Sequence, residues 1–570
     1  MRRAALAPTL GLLLGGCGPA TPPSTPAAPE PAAPAPAPVT QDFATYRDGL
    51  VDAWLKRKPA LARQAGLHEH DGVIADYSSA GIAADVAFFQ AARAKLAAYD
   101  PSSLGDGDAL DLAILQNRIA LELEELVEQD RPHTSPLFYQ ELYRVSGYVN
   151  FDYAPIEQRI EKLIAHQEAS LKQTQHLLAA MKPVLSRPLV TTSITIYEGH
   201  ASYLKGDLKK LVDRELKDAA LKARFEKANA ALAATATEVA ARLKKEWLPR
   251  ANDEAHVLGR EGFARFVRAQ EGRAIALDTF EAMAEKDLAR NKAAYEALAE
   301  KVTVTRPRPS ELLGAATDLM NASRQFVIDR DLITIPSEDR CKLEETPPFM
   351  RWNAAFLNMA GPFDEAKEAY YYITLPDPSW PKAEQEGYIF PHGVLSSTTI
   401  HEVYPGHFLH GLFIRQAPSR VQKLFDSYSF TEGWAHYVEE MMIEQGWAAE
   451  DPQRHLGQLS DALLRNCRFV AALAIHAKGH SLEQVAKRFE GDCFQDKATA
   501  REQAVRGTFD PGYFAYTLGK LQILELREKL KNELGERFEL KRFHDAMMGY
   551  GAPPVALIAD RVAEKVRADP

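Results

Sequence analysis

Apolar residues along this chain recur at helical rather than strand spacing. Leu112, Leu115, Ile119, Leu123 and Leu126 are separated by 3, 4, 4 and 3 positions, one stripe of an amphipathic helix. Residues 205–245 are rich in Ala, Leu, Lys and Glu and hold no Pro, which predicts long helices. Pro307-Arg308-Pro309, Pro347-Pro348 and the stretch from Pro376 to Pro381 punctuate the pattern. Tyr370 to Leu375, rich in Tyr, Ile and Thr, is the best strand candidate. The expected fold class is mainly α, with a small strand element. One large helical fold of two lobes is expected, because no later segment resembles the linker described next.

The first 40 residues follow other rules. Arg2 and Arg3 precede an apolar run from Leu10 to Leu14, too short to span a bilayer, so residues 1–16 read as a signal peptide. Leu14-Gly15-Gly16-Cys17 reads as a lipobox, and acyl chains on Cys17 would anchor the mature chain to a membrane. The bland alternative is a plain secretory signal with an incidental cysteine. Gly18 after Cys17 resembles outer-membrane sorting in Gram-negative bacteria. From Gly18 to Val39, nine of 22 residues are Pro and seven are Ala, a composition that favours extended polyproline II over a core. At about 3.1 Å per residue this linker, within 17–40, reaches up to roughly 70 Å. The folded domain is expected at 41–570.

Charge and cysteine content narrow the partners. The formal net charge is −10, or −12 without Arg2 and Arg3, which argues against nucleic acid and anionic membrane surfaces. Apart from Cys17 there are only Cys341, Cys467 and Cys493, without CxxC spacing. One disulfide is permitted in an oxidising compartment, but a thiolate zinc site is not expected.

The chemistry concentrates in His401-Glu402-Val403-Tyr404-Pro405-Gly406-His407 and Glu432-Gly433-Trp434-Ala435. Two imidazoles, a carboxylate 25 residues beyond the second, and a spare glutamate are the parts of a mononuclear zinc hydrolase. His401, His407 and Glu432 are the expected ligands of one zinc ion per chain, and Glu402 the general base. The spacing is unusual. Histidines at i and i+6 of a straight helix lie about 240° apart and about 9 Å along the axis, too far to share a metal. Pro405 lacks an N–H and Gly406 tolerates rare dihedrals, so a bulge here is expected to swing His407 back. The bland reading makes Thr399-Ile400-His401-Glu402 a capping box at a helix start and leaves Glu432 on a solvated face. His410, three residues past His407, competes as a ligand but is assigned to substrate contact or support. Glu439 and His436 share a helix face with Glu432, and Glu439 is placed to orient a ligand imidazole. Arg468 is a candidate for holding a substrate carboxylate, with a structural ion pair as its alternative.

With these residues the chain resembles the bacterial DUF885 family, whose members carry HExxPGH and EGWAxYxE. The segments ARQAGLHEHDGVIADYS, YYYITLPDPSWP, LLRNCRFVAALAIH and YTLGKLQI fit in order, so the likeness covers roughly residues 43 to 567. The resemblance implies a helical zinc peptidase of the gluzincin type with a central cleft. It also implies oxyanion-stabilising roles for His476 and Tyr516, where related helical zinc peptidases carry a His and a Tyr. The chain departs from the family pattern at Ala472 and Ala474, where members often have Asp and Gly, which weakens the role of His476.

The resulting expectation is a lipid-anchored, zinc-dependent peptidase of the bacterial envelope acting on short peptides. Two other readings remain open: a zinc amidohydrolase acting on cell-wall or acylated amino-acid substrates, and a non-catalytic envelope binding lipoprotein. A strand at Tyr370 to Leu375 is further expected to hold an extended peptide by edge pairing.

Overall fold

The computed structural model describes residues 42–568 except 348, 349, 352 and 366. The signal peptide, Cys17 and the Pro/Ala linker expected at 1–40 lie outside the described residues. The described chain is mainly α-helical with one three-stranded sheet, and none of its helices is long and apolar enough to cross a membrane.

The leucine stripe forms the inner face of helix α1 (Asp106–Leu123) and of the π-turn that continues it, with all five residues buried. The 205–245 stretch is helical but interrupted. A helix ending at Glu215 gives way to Asp218, whose side chain accepts from the amides of Ala220 and Leu221 at 2.8 and 2.9 Å and starts a new helix. That helix, α4 (Ala219–Arg242), packs with α2 (Ile156–Ala180) and α3 (Arg187–Tyr203) around Ile160, Tyr197, Phe225 and Leu232. A second apolar centre gathers aromatic rings of α5 (Gly259–Glu271) and α6 (Leu277–Ala299), with Phe469 and Phe514 between them. The largest centre carries the candidate site.

The strand expected at Tyr370 to Leu375 is present as β3 (Ala369–Ile373). It lies between β1 (Lys342–Glu345), which is parallel to it, and β2 (Ala355–Met359), which is antiparallel. Both its edges are therefore paired and its side chains largely buried, so this strand cannot add a peptide. Its β-branched and aromatic content reflects a central strand, as such content usually does.

Five further helices build the site: α7 (His392–Glu402), α8 (His407–Gln416), α9 (Tyr428–Glu444), α10 (Gln453–His476) and, beyond α11 (Lys497–Gly507), α12 (Ala515–Leu534). Helices α9 and α12 cross at Gly433 and Gly519. A Cβ on Gly519 would stand 1.8 Å from the Ser429 carbonyl oxygen, and one on Gly433 would stand 2.5 Å from the Gly519 Cα. Backbone cannot yield as a side-chain tip can. Gly519→Ala is expected to destabilise the fold by about 1–3 kcal/mol. Gly314→Ala, whose Cβ would meet nothing within 4 Å, should not. Comparing urea midpoints checks this, and equal midpoints for the two variants would refute the crossing argument.

Candidate metal centre

Helix α7 ends at Glu402, and Thr399–Glu402 forms its last turn, so this segment is not the helix start that a capping box requires. The chain turns through a cis Tyr404–Pro405 bond and begins α8 at His407. The expected bulge within one helix is thus a break between two. Pro405 has no amide with which to continue the helix, and the Gly406 amide instead donates back to the Ile400 carbonyl at 3.0 Å. Glycine is required there: a Cβ would lie 1.8 Å from the His401 carbonyl oxygen. The result brings the His401 and His407 rings to 4.6 Å, nearly perpendicular.

Glu432 reaches the same point from α9, whose start is capped by Ser427 Oγ accepting from the Phe430 amide at 3.3 Å. The Trp434 indole N–H donates to the Pro405 carbonyl at 2.9 Å and locks the second motif onto the turn of the first. Glu432 Oε2 lies 3.4 Å from His401 Nε2 and 3.4 Å from His407 Nε2. Four donors around a zinc ion at 2.0–2.1 Å stand about 3.3–3.4 Å apart. Glu432 Oε2 is also buried and without a hydrogen bond, an orphan that a cation would satisfy. These three residues form the one cluster of metal-binding type among the described residues. Geometry, donor chemistry and the unsatisfied oxygen all fit zinc.

The electrostatics favour a cation here as well. Burial works against the Glu432 carboxylate, yet the His407 and His401 imidazoles hold it well below the usual carboxylate range. Burial and Arg465 push His401 down, but Glu432 and Glu439 lift it to about 9. A field that draws a proton to this point also draws a metal ion.

Glu439 takes the orienting position expected for it. Its Oε1 lies 2.7 Å from His401 Nδ1 and accepts that proton, which leaves Nε2 free toward Glu432. Arg465 Nη1 donates to Glu439 Oε2 at 2.9 Å, and His436 Nδ1 lies 3.2 Å from the same oxygen. Burial raises the Glu439 carboxyl, but Arg465 and the imidazoles hold it well below its ordinary value. His436 is therefore a buried support for Glu439, and burial pushes it down to about 4. Glu439→Gln would turn an amide N–H₂ toward Arg465. It is expected to lower zinc affinity by about 10–100-fold, measured by competition with a chelating dye; an unchanged affinity would show that Glu439 does not support the ligand.

The other expected residues divide. Glu402 faces the sheet, and its Oε2 accepts from the Leu357 amide of β2 at 2.9 Å. Tyr516 stacks on His401 at 6.4 Å with 19° between the rings, and burial followed by Glu432 raises its pKa. Arg468 lies over the Tyr516 ring, 5.1 Å from its centroid. His410 is not brought to the ligands. It is buried against Phe430, with Nε2 3.2 Å from the Gly551 carbonyl oxygen, so neither ligation nor substrate contact fits it. His476 is likewise a core residue. Its Nε2 lies 2.7 Å from the Gly507 carbonyl and its Nδ1 3.2 Å from that of His256, among Phe263 and other apolar side chains. Ala472 and Ala474 are buried in the same apolar cluster, so no aspartate is present to aim His476 elsewhere.

Trp434, Arg465 and the Leu357 amide were not among the expected residues. Trp434 stands inside the Glu432–Ala435 motif and Arg465 in an Asp461-to-Arg465 pair at i, i+4, whereas the Leu357 amide had no local signal.

Residues 59–562 match the model of a family described as bacterial protein of unknown function, DUF885. The chain belongs to this family. Two solved structures share the DUF885 chain's fold. One, from Shewanella oneidensis, is described as a candidate lipoprotein of unknown function; it is 22% identical with a TM-score of 0.76, over 92% of this chain and 100% of that one. The other, a candidate lipoprotein from Colwellia psychrerythraea, is 18% identical with a TM-score of 0.77, over 92% and 99%. No curated protein sequence matches the chain.

Proposed function

We propose that this DUF885 protein is a zinc-dependent peptidase of the bacterial envelope that hydrolyses short peptides. The observation that carries the reading is the buried, unbonded Glu432 Oε2 placed 3.4 Å from both imidazole Nε2 atoms, with Glu402 next in sequence to one of them.

His401, His407 and Glu432 would hold the ion, which supplies Lewis acidity toward a carbonyl and lowers the pKa of water to about 7. Glu402 takes a proton from the attacking water and returns it to the departing amine. Its Oε2 is held by the Leu357 amide, so Oε1 is the oxygen left for that exchange. Tyr516, its pKa raised, keeps its proton at neutral pH and offers a donor to the developing oxyanion. Peptide alignment is assigned to β2. Ala354 and Ala360 bond toward the β3 side, whereas the Leu357 amide points away from β3 to Glu402. An extended substrate would run along that second side.

Three observations support the envelope. Cys467 and Cys493 form a disulfide, which belongs to oxidising compartments, and Cys341 is left free and buried. The N-terminal lipobox supports an anchor at Cys17, with Gly18 favouring the outer membrane. The two solved relatives are described as candidate lipoproteins.

The test is a screen of short peptides and non-peptide amides against the zinc-loaded protein and Glu402→Gln. Peptide cleavage that needs both zinc and Glu402 is expected. Turnover of non-peptide amides alone would favour the amidohydrolase reading. No turnover of any amide would leave a binding protein.

A further inference from the structure

Three guanidinium groups surround the Tyr516 ring, and one of them has no acid. Arg465 is paired with Glu439 at 2.9 Å. Arg506 is paired with Asp510 at 3.1 Å and donates to the Tyr428 hydroxyl at 3.2 Å. Arg468, one turn beyond Arg465 on α10, donates only its Nε, to Gln503 Oε1 at 2.9 Å. Among the described residues no carboxylate lies within 4.0 Å of it, and its two terminal nitrogens have no partner. Burial, then the nearby Arg506, push its pKa down, the mark of a cation whose surroundings do not offset its charge. A half-buried guanidinium held without a counter-ion is costly, and a planar fork of free N–H groups matches a carboxylate.

The position relates this fork to the metal ligands. Tyr516 neighbours both, its ring centroid lying 6.4 Å from that of His401 and 5.1 Å from the Arg468 guanidinium. Those two steps correspond to the reach of roughly one to three extended residues at about 3.3–3.6 Å each. We propose that Arg468 binds the C-terminal carboxylate of the peptide, so that the enzyme removes the last one to three residues. The inference rests on the peptidase reading and gives it a direction. In the reaction water adds its oxygen to the scissile carbonyl carbon and the C–N bond breaks. The proton accepted by Glu402 passes to the departing amine. The products are a shortened peptide with a new carboxylate and a released amino acid or short peptide that carries the original one.

The experiment uses the full zinc-loaded protein and alanine-based tripeptides to pentapeptides, each as free acid and as C-terminal amide, with fragments identified by mass spectrometry. Free acids are expected to be cut at least about 10-fold faster in kcat/KM, the usual weight of a hydrogen-bonded charge. Fragments should leave from the carboxyl end. Arg468→Gln should bring the acid and amide rates to within about 2-fold of each other with zinc content unchanged, and Arg468→Lys should fall between. Wild-type enzyme that cuts amides equally well, or trims from the amino end, overturns the proposal and leaves the peptidase reading standing. Amide-ended peptides with a Glu near the end form a third arm, and full rescue there would assign the fork to an acidic side chain instead. Calorimetry with Glu402→Gln reads the carboxylate site without turnover. Acid-selective binding lost in Glu402→Gln/Arg468→Gln supports the site even if no peptide is cleaved, and equal binding of acids and amides refutes it.

Discussion

Purified from zinc-containing medium, the protein is expected to carry about one zinc ion per chain, and His407→Ala less than about a tenth of that at the same free zinc. Each of the three donors comes from a different structural decision: His401 from the last turn of α7, His407 from the first residue of α8, and Glu432 from the start of α9. Removing His407 leaves one imidazole and one carboxylate, too few to hold zinc against the dilute ion. His410 cannot take over, because its ring is packed on Phe430 and faces the Gly551 carbonyl. His410→Ala should therefore retain zinc, which makes it the control for simple misfolding of α8. Elemental analysis of the three proteins decides the matter. Zinc kept by His407→Ala, or absent from wild type after reconstitution, would remove the metal centre and the catalytic reading with it. Since zinc binds the folded state, it should also raise the wild-type unfolding temperature and leave that of His407→Ala unmoved.

Much of this arrangement was legible in the sequence, and the failures have physical causes. The stripe from Leu112 to Leu126 was readable because a 3.6-residue period leaves a mark that burial alone can explain. His401, His407 and Glu432 were readable as chemistry, but the path between them was not. The sequence shows that Pro405 cannot donate; it does not show that the helix restarts at His407. His410 shares a helix with His407, yet it turns to a carbonyl 141 residues away, a partner no local pattern announces. His476 sits in an apolar run from Phe469 to Ile475 and belongs to the core which that run builds. The Gly433 and Gly519 positions had no role in a reading based on side-chain chemistry. Their reason is the close crossing of α9 and α12, which carry Glu432 and Tyr516.

Glu402→Gln is expected to lower kcat by about 10²–10⁴ while leaving zinc content and peptide affinity intact. The prediction follows from the proposed separation of ligand and base. Glu402 is not among the three clustered donors, so its replacement removes no ligand. Its Oε2 accepts from the Leu357 amide at 2.9 Å, and the glutamine carbonyl can keep that bond and the side chain's placement against β2. What glutamine cannot do is take a proton from water at neutral pH and hand it to an amine. A general base lost in this way depresses the chemical step without changing how the substrate binds, so the loss should lie in kcat rather than KM. Single-turnover measurements on zinc-matched proteins would test this directly. A rate within about 3-fold of wild type would exclude Glu402 as the base. A rate loss that tracks a loss of zinc would instead make Glu402 a support of the fold around His401, and the proton transfer would have to be assigned to another residue.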